Sequence, residues 1–262
     1  MFHSRVFPPS RLATIDIGAL ARSRHHVSAM LEVDVTTARE RIRVWRREVG
    51  ELSFLAWALA VIGATVREHP EVAAFRAGRR RVQYADSVSI SIVVEKEVDG
   101  TVVPLPVLLP DINTLSPTDI TLRLREAIDS SVVANDLVLH RSSTVGERIY
   151  VLLPAFLRRL IWRALLASPK RTHALMGNVA VTSLTSAGAI NGWFLPLTVH
   201  PLCIGLGSVL RKPVAHGDQL VIRDVLNFTV LMDHDVIDGA PMARFIRALT
   251  RAMERGDMLE LP

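Results

Sequence analysis

Cysteine and lysine are nearly absent from this chain. The single cysteine among 262 residues, Cys203, excludes an internal disulfide, so nothing in the sequence requires an oxidising compartment. Cys203 sits in an apolar run, where a small buried hydrophobe is expected rather than a nucleophile. Lysine occurs only as Lys96, Lys170 and Lys212, so the basic side of a +5 net charge is almost all arginine. Arginine excess suits phosphate groups, and it also serves plain solubility.

The longest apolar run, 54–66, is too short to span a bilayer and ends in Arg67-Glu68-His69, so no transmembrane segment is expected. The first residues lack the basic-then-apolar order of a signal peptide, and a cytoplasmic location is the expectation. Helix-turn-helix, zinc-finger and RNA-binding aromatic patterns are missing, which argues against a nucleic-acid partner. The histidines His25, His26, His69, His140, His173, His200 and His216 show no ligand spacing, so no metal is expected. No repeat and no Pro/Gly/Ser linker divides the chain, and 49% apolar residues can fill one sizeable core. The expected organisation is an arm over 1–10 and one domain over 11–262.

Along the chain, Thr14-Ile15-Asp16-Ile17 reads as a short strand leading to Arg22. Val27, Ala29, Leu31 and Val33 alternate as a second strand. Asp34 can cap a helix over 36–49. Ser53 opens another, over 54–68, apolar nearly all round and stopped at Pro70. Strands are expected over 81–85, 88–94 and 101–109, the last two joined by an Asp99-Gly100 hairpin turn. A helix follows over 116–130. Residues 142–174 are unusual: apolar residues at helical spacing alternate with Arg158, Arg159 and Arg163. Packing on the subunit's own core or on a neighbouring subunit is expected there in preference to a membrane surface. Strands over 178–184, 202–209, 219–222 and 225–232 and a helix over 241–255 complete an α+β pattern with a mixed sheet.

The last strand ends in Asp233-His234-Asp235-Val236-Ile237-Asp238-Gly239-Ala240-Pro241. This is a strand-to-helix corner with a titratable imidazole at the strand end and a carboxylate where an N-cap belongs. Pro241 suits a first helical turn, where its missing N–H costs nothing.

This corner resembles the Asp-His-x-x-x-Asp-Gly signature of the chloramphenicol acetyltransferase-like superfamily. It is more closely similar to the catalytic domain of dihydrolipoamide acyltransferases of 2-oxoacid dehydrogenase complexes. The likeness extends through Ala240 to Phe245 after the corner and Pro201 to Gly207 before it. It also reaches Glu32-Val33-Asp34-Val35-Thr36 and Arg67-Glu68-His69-Pro70-Glu71-Val72. It implies a trimer-forming mixed sheet flanked by helices, with acyl transfer between coenzyme A, bound as a substrate, and a thiol. It also implies a homotrimer or larger cage with sites between subunits, His234 of one facing Thr182 of the next across a channel open at both ends. His234 is the implied base, and the deprotonated acceptor attacks directly with no acyl-enzyme, in keeping with the lack of a Gly-x-Ser-x-Gly elbow.

Asp238 matches the family's second motif residue. A Thr-x-Asp-Ile segment followed by arginine, matched by Thr14 to Ile17 and Arg22, implies an Arg22–Asp238 pair holding the turn. The family's oxyanion donor is a serine in a segment like Ile-Ser-Asn-Leu-Gly. Its place falls on Thr182, with Ser183 adjacent and facing the other way. The chain departs from the family in Asp235, which stands where arginine is usual. Asp233 and Asp235 would favour a protonated His234 unless they point away. None of the three lysines has the Asp-Lys-Ala context of a lipoyl module. No covalently bound lipoyl group is expected, and a lipoyl carrier would act in trans. A hydroxyl or amine on a small molecule is the alternative acceptor, and an inactive trimeric or cage scaffold is the alternative to an enzyme.

Overall fold

The computed structural model describes residues 2, 11–98, 101–129, 149–186 and 188–260. In chain order the elements are α1 (Arg11–Ala21), β1 (His26–Asp34), α2 (Thr36–Glu48), α3 (Phe54–Glu68), β2 (Phe75–Ala77), β3 (Arg81–Gln83), β4 (Ile90–Val98) and β5 (Thr101–Leu109). They continue as α4 (Pro117–Asp129), α5 (Ala155–Leu166), α6 (Pro169–Met176), β6 (Val179–Ser183), β7 (Leu202–His216), β8 (Gln219–Asp233) and α7 (Gly239–Arg255). Six strands form one mixed sheet in the order β1-β8-β7-β6-β4-β5. β6 runs parallel to both β4 and β7, and the other pairings are antiparallel. The expected α+β sheet flanked by helices is the observed fold.

Most boundaries follow from local rules. Ser53 caps α3, accepting from Ala56 N. Asp34 Oδ1 accepts from Thr36 N at 2.9 Å and opens α2. Val98 pairs with Thr101 across the expected Asp99-Gly100 turn, which itself lies outside the described residues. The core fills one face of the sheet. Trp57 and Ile62 of α3 and Phe245 of α7 are fully buried over Ile90, Ile204 and Phe228. Against the other face runs the connection 184–201. A side chain at Gly205 would come within 3.2 Å of Phe194 O, so glycine lets this connection lie on the sheet.

Two expectations are corrected. Residues 14–17 are not a strand but the middle of α1, because Ala13, Asp16, Leu20 and Ala21 point together onto α5. The ranges 219–222 and 225–232 are one strand, and β7 runs on to His216. Paired through to His216–Gln219, the two strands extend past the core as a long hairpin. The strand expected over 81–85 is β3, pairing with β2, a short strand that was not foreseen because three residues carry too little periodicity. In the described part of the 142–174 segment, one face of α5 packs on its own subunit. Trp162 joins Ala13, Leu20, Ala21 and Val199 in a small satellite cluster.

Near that cluster His200 is fully enclosed. Its ring nitrogens meet Thr198 Oγ1 and Met176 O, each at 2.9 Å, and burial lowers its pKa to about 4. The ring is therefore neutral in the fold but charged in the unfolded chain below its ordinary value near 6.5. Stability from this site is intact above about pH 6.5 and is lost as pH falls toward 4, by roughly 3 kcal/mol in full. Urea unfolding at several pH values through this window should show the loss, and His200→Gln should flatten it.

Candidate functional site

Every residue of β8 from Val225 to Asp233 is buried, flanked by β1 and β7, and the chain leaves the sheet at Asp233. The exit is fixed by three backbone bonds. Asp233 N donates to Pro201 O (2.9 Å), His234 N to His25 O (2.9 Å) and Val236 N to Asp233 O (3.1 Å). Ile237 is buried under the turn, and Asp238 begins α7 with its carbonyl accepting from Met242 N. The apolar spacing Met242, Phe245, Leu249, Met253 binds α7 to the core. The imidazole of His234 is thereby presented to solvent on a rigid corner.

The two neighbouring carboxylates point elsewhere. Asp233, 1% exposed, pairs with Arg24 at 3.1 Å and accepts from Asp235 N. Asp235 lies 3.0 Å from His25 Nδ1 and 3.2 Å from Arg76 Nη1. The hydrogen bond from His25, aided by Arg76, holds the Asp235 carboxyl below its usual range. Arg22 and Asp238 are both exposed and form no ion pair with each other, so the expected Arg22–Asp238 pair is absent from this subunit. Arg24–Asp233 ties the same two segments instead, two residues on along the chain. That pair and the His25–Asp235–Arg76 contacts were missed from sequence. The signal was present: the basic run Arg22-Ser23-Arg24-His25-His26 precedes the strand that pairs with the acidic corner.

Thr182 and Ser183 end β6 and face opposite ways. Ser183 Oγ lies 2.9 Å from Thr185 Oγ1, whereas the Thr182 hydroxyl has no hydrogen-bond partner among the described residues. Thr182 pairs with Gly205, and Gly205 with Thr229, five residues before His234. Strand geometry therefore separates Thr182 from His234 of the same subunit by about 20 Å. Ser183 borders a groove of about 810 Å³, also lined by Arg39, Arg43, Arg46, Phe54 and Thr185. Arg39 and Arg43 share Asp224, at 3.2 and 3.4 Å, while Arg46 donates to Leu52 O. Among the described residues no group of three or more His, Cys, Asp or Glu is placed to hold a metal ion, and no helix is long and apolar enough to cross a membrane.

Residues 157–261 match the family described as 2-oxoacid dehydrogenases acyltransferase (catalytic domain). The lipoamide acyltransferase component of the branched-chain alpha-keto acid dehydrogenase complex of Bacillus subtilis is 22% identical over 88% of this chain. The chain spans 47% of that protein's length, about half. A probable dihydrolipoamide acetyltransferase from Listeria monocytogenes superposes with a TM-score of 0.69 at 16% identity, covering 97% of this chain and 95% of that one. The fold is that of a dihydrolipoamide acyltransferase catalytic domain.

Chloramphenicol acetyltransferase shares the fold more distantly, with a TM-score of 0.51 at 14% identity over 98% of this chain and 100% of that one. The Azotobacter vinelandii dihydrolipoamide acetyltransferase matches with a TM-score of 0.67 at 16% identity, covering 96% of this chain and 92% of that one. Its structure was determined to examine the catalytic roles of a serine, a histidine and an asparagine. These relatives are transferases of acyl groups by name.

Proposed function

We propose that this chain is a coenzyme A-dependent acyltransferase with active sites assembled between copies, and that the acyl partner is a thiol such as lipoamide on a separate carrier. The observation that carries the reading is the corner itself. His234 stands free at the end of a buried strand, with both adjacent carboxylates engaged by Arg24, His25 and Arg76. In the Azotobacter enzyme the serine precedes the histidine by the same number of residues as Thr182 precedes His234, and the asparagine follows by four, as Asp238 does here. The separation of about 20 Å within one subunit means that His234 and Thr182 can cooperate only across copies. A homotrimer or larger cage meets that requirement.

In this reaction His234 takes the proton of the acceptor thiol, and the thiolate attacks the thioester carbonyl carbon. The Thr182 hydroxyl donates to the developing oxyanion. The tetrahedral intermediate then expels the thiolate of coenzyme A, which recovers the proton from the imidazolium, so no acyl-enzyme forms. Asp238 is the N-cap residue of α7, its backbone carbonyl accepting from Met242 N. Arg39, Arg43 and Arg46 on the groove beside Ser183 suit the phosphates of coenzyme A.

The test is turnover of acetyl-coenzyme A with dihydrolipoamide, compared with hydroxyl and amine acceptors, alongside sedimentation. A monomer with full activity would sink the shared-site reading. Thr182→Val is expected to lower turnover ~10²–10³-fold, the usual cost of one oxyanion donor, while Ser183→Ala stays within a few-fold. The reverse ranking would move the donor to Ser183.

A further inference from the structure

α5 has two apolar faces. One carries Arg158 and Trp162, both buried, with Leu165 and Leu166 partly covered, and packs on α1. A surface helix ordinarily turns a polar face outward. Here the outward face presents Phe156, Leu160 and Ile161 at 68%, 58% and 50% exposure, and Leu152 just before the helix is 83% exposed.

The charge carried by residues 149–176 is of one sign. From 149 to 176 there is no aspartate or glutamate, and there are five cations: Arg158, Arg159, Arg163, Lys170 and Arg171. Arg158 is buried against Asp16, and Arg159 reaches the same carboxylate from the rim. Arg163, Lys170 and Arg171 are exposed and form no ion pair among the described residues. Arg159 and Arg163, four apart, lie along one edge of the apolar stripe. Long cationic side chains there can keep their heads in a polar layer while the stripe enters an apolar one.

We propose that the outward face of α5 docks on an anionic phospholipid surface. At twelve residues the helix is too short to span a bilayer, so it lies in the plane of the interface. Phe156, Leu160 and Ile161 enter the acyl boundary, and Arg163, Lys170 and Arg171 meet the headgroups. Charge disfavours a two-fold contact with a second copy of the chain through this face. A two-fold contact through this face would set each arginine row against its own copy, in a chain already carrying a net charge of +5. An anionic surface rewards each exposed cation by roughly fivefold in affinity, and that gain fades with salt.

The experiment is flotation of the full-length protein with vesicles of phosphatidylcholine alone and of phosphatidylcholine with phosphatidylglycerol. Binding is expected only to the second, weakening as salt is raised. The triple change Arg163→Glu, Lys170→Glu, Arg171→Glu should reduce it by ~100-fold or more. Phe156→Ser with Leu160→Ser should reduce it comparably, because the apolar contact is lost. Both sets of substitutions are on the surface; unchanged thermal unfolding and unchanged acyl transfer would show that the fold and the reaction are intact. The proposal is overturned by absent binding to phosphatidylglycerol vesicles, by equal binding to neutral ones, or by binding that neither variant weakens. It is also overturned if the apolar variant changes the sedimentation state, since the face would then be covered by another copy.

Discussion

His234→Ala is expected to lower acyl transfer by ~10²–10⁴-fold, the share that general base catalysis usually supplies, with coenzyme A affinity changed little. Affinity is spared because the proposed contacts to the nucleotide lie on Arg39, Arg43 and Arg46, far along the sheet from the corner. The neutral imidazole is the working form, since only its free ring nitrogen can accept the thiol proton. Asp233 and Asp235 were a reason to expect the charged form to be favoured. In the structure both carboxylates are engaged by Arg24, His25 and Arg76 instead. In the single subunit His234 is exposed, so any desolvation of the ring must come from a neighbouring copy. Asp235→Asn should leave turnover within a few-fold while loosening the Arg76 contact. Steady-state rates for native protein and both variants check this. Near-native turnover by His234→Ala would remove the base assignment and the catalytic reading with it.

Asp16→Asn is expected to destabilise the α1–α5 pair by about 3–5 kcal/mol, the usual cost of leaving a buried charge without its partner. Asp16 is fully buried. Its Oδ2 accepts from Arg158 Nε at 2.6 Å and from the Tyr150 hydroxyl at 2.9 Å. Trp162 Nε1 donates to that hydroxyl in turn, at 3.0 Å. The bond to Asp16 raises the Arg158 pKa, and burial raises that of Tyr150, so the cluster is a charged pair walled in by an uncharged phenol. Because this cluster is a satellite of the main core, the loss should appear first as faster amide exchange in α1 and α5. Replacing both partners, Asp16→Leu with Arg158→Met, should restore most of the stability, since two apolar groups of similar size need no compensating charge. If Asp16→Asn costs less than about 1 kcal/mol, the pair is not what holds α5 in place.

What the sequence determined by itself was the corner and the core. The run from Val225 to Asp233 is mostly apolar because it is buried on both faces, and Asp238-Gly239-Ala240-Pro241 is a local helix start; neither needs distant contacts to be read. The all-round apolar α3, its Ser53 cap and the alternating β1 were legible for the same reason: their periodicity is set by the element's own geometry. Thr182 and Ser183 were separable only as opposite faces of one strand. Residues 14–17 misled because four residues of alternation fit a strand as well as a helix. The choice was made by Asp16 reaching Arg158, 142 positions away in the chain. Arg24, not Arg22, meets the acidic corner because antiparallel register sets His26 opposite Asp233, and register across 200 residues is a property of the assembled sheet. The orientation of Asp235 away from His234, and the outward apolar face of α5, were likewise decided by tertiary packing. Each depends on which side of an element its distant neighbours already occupy.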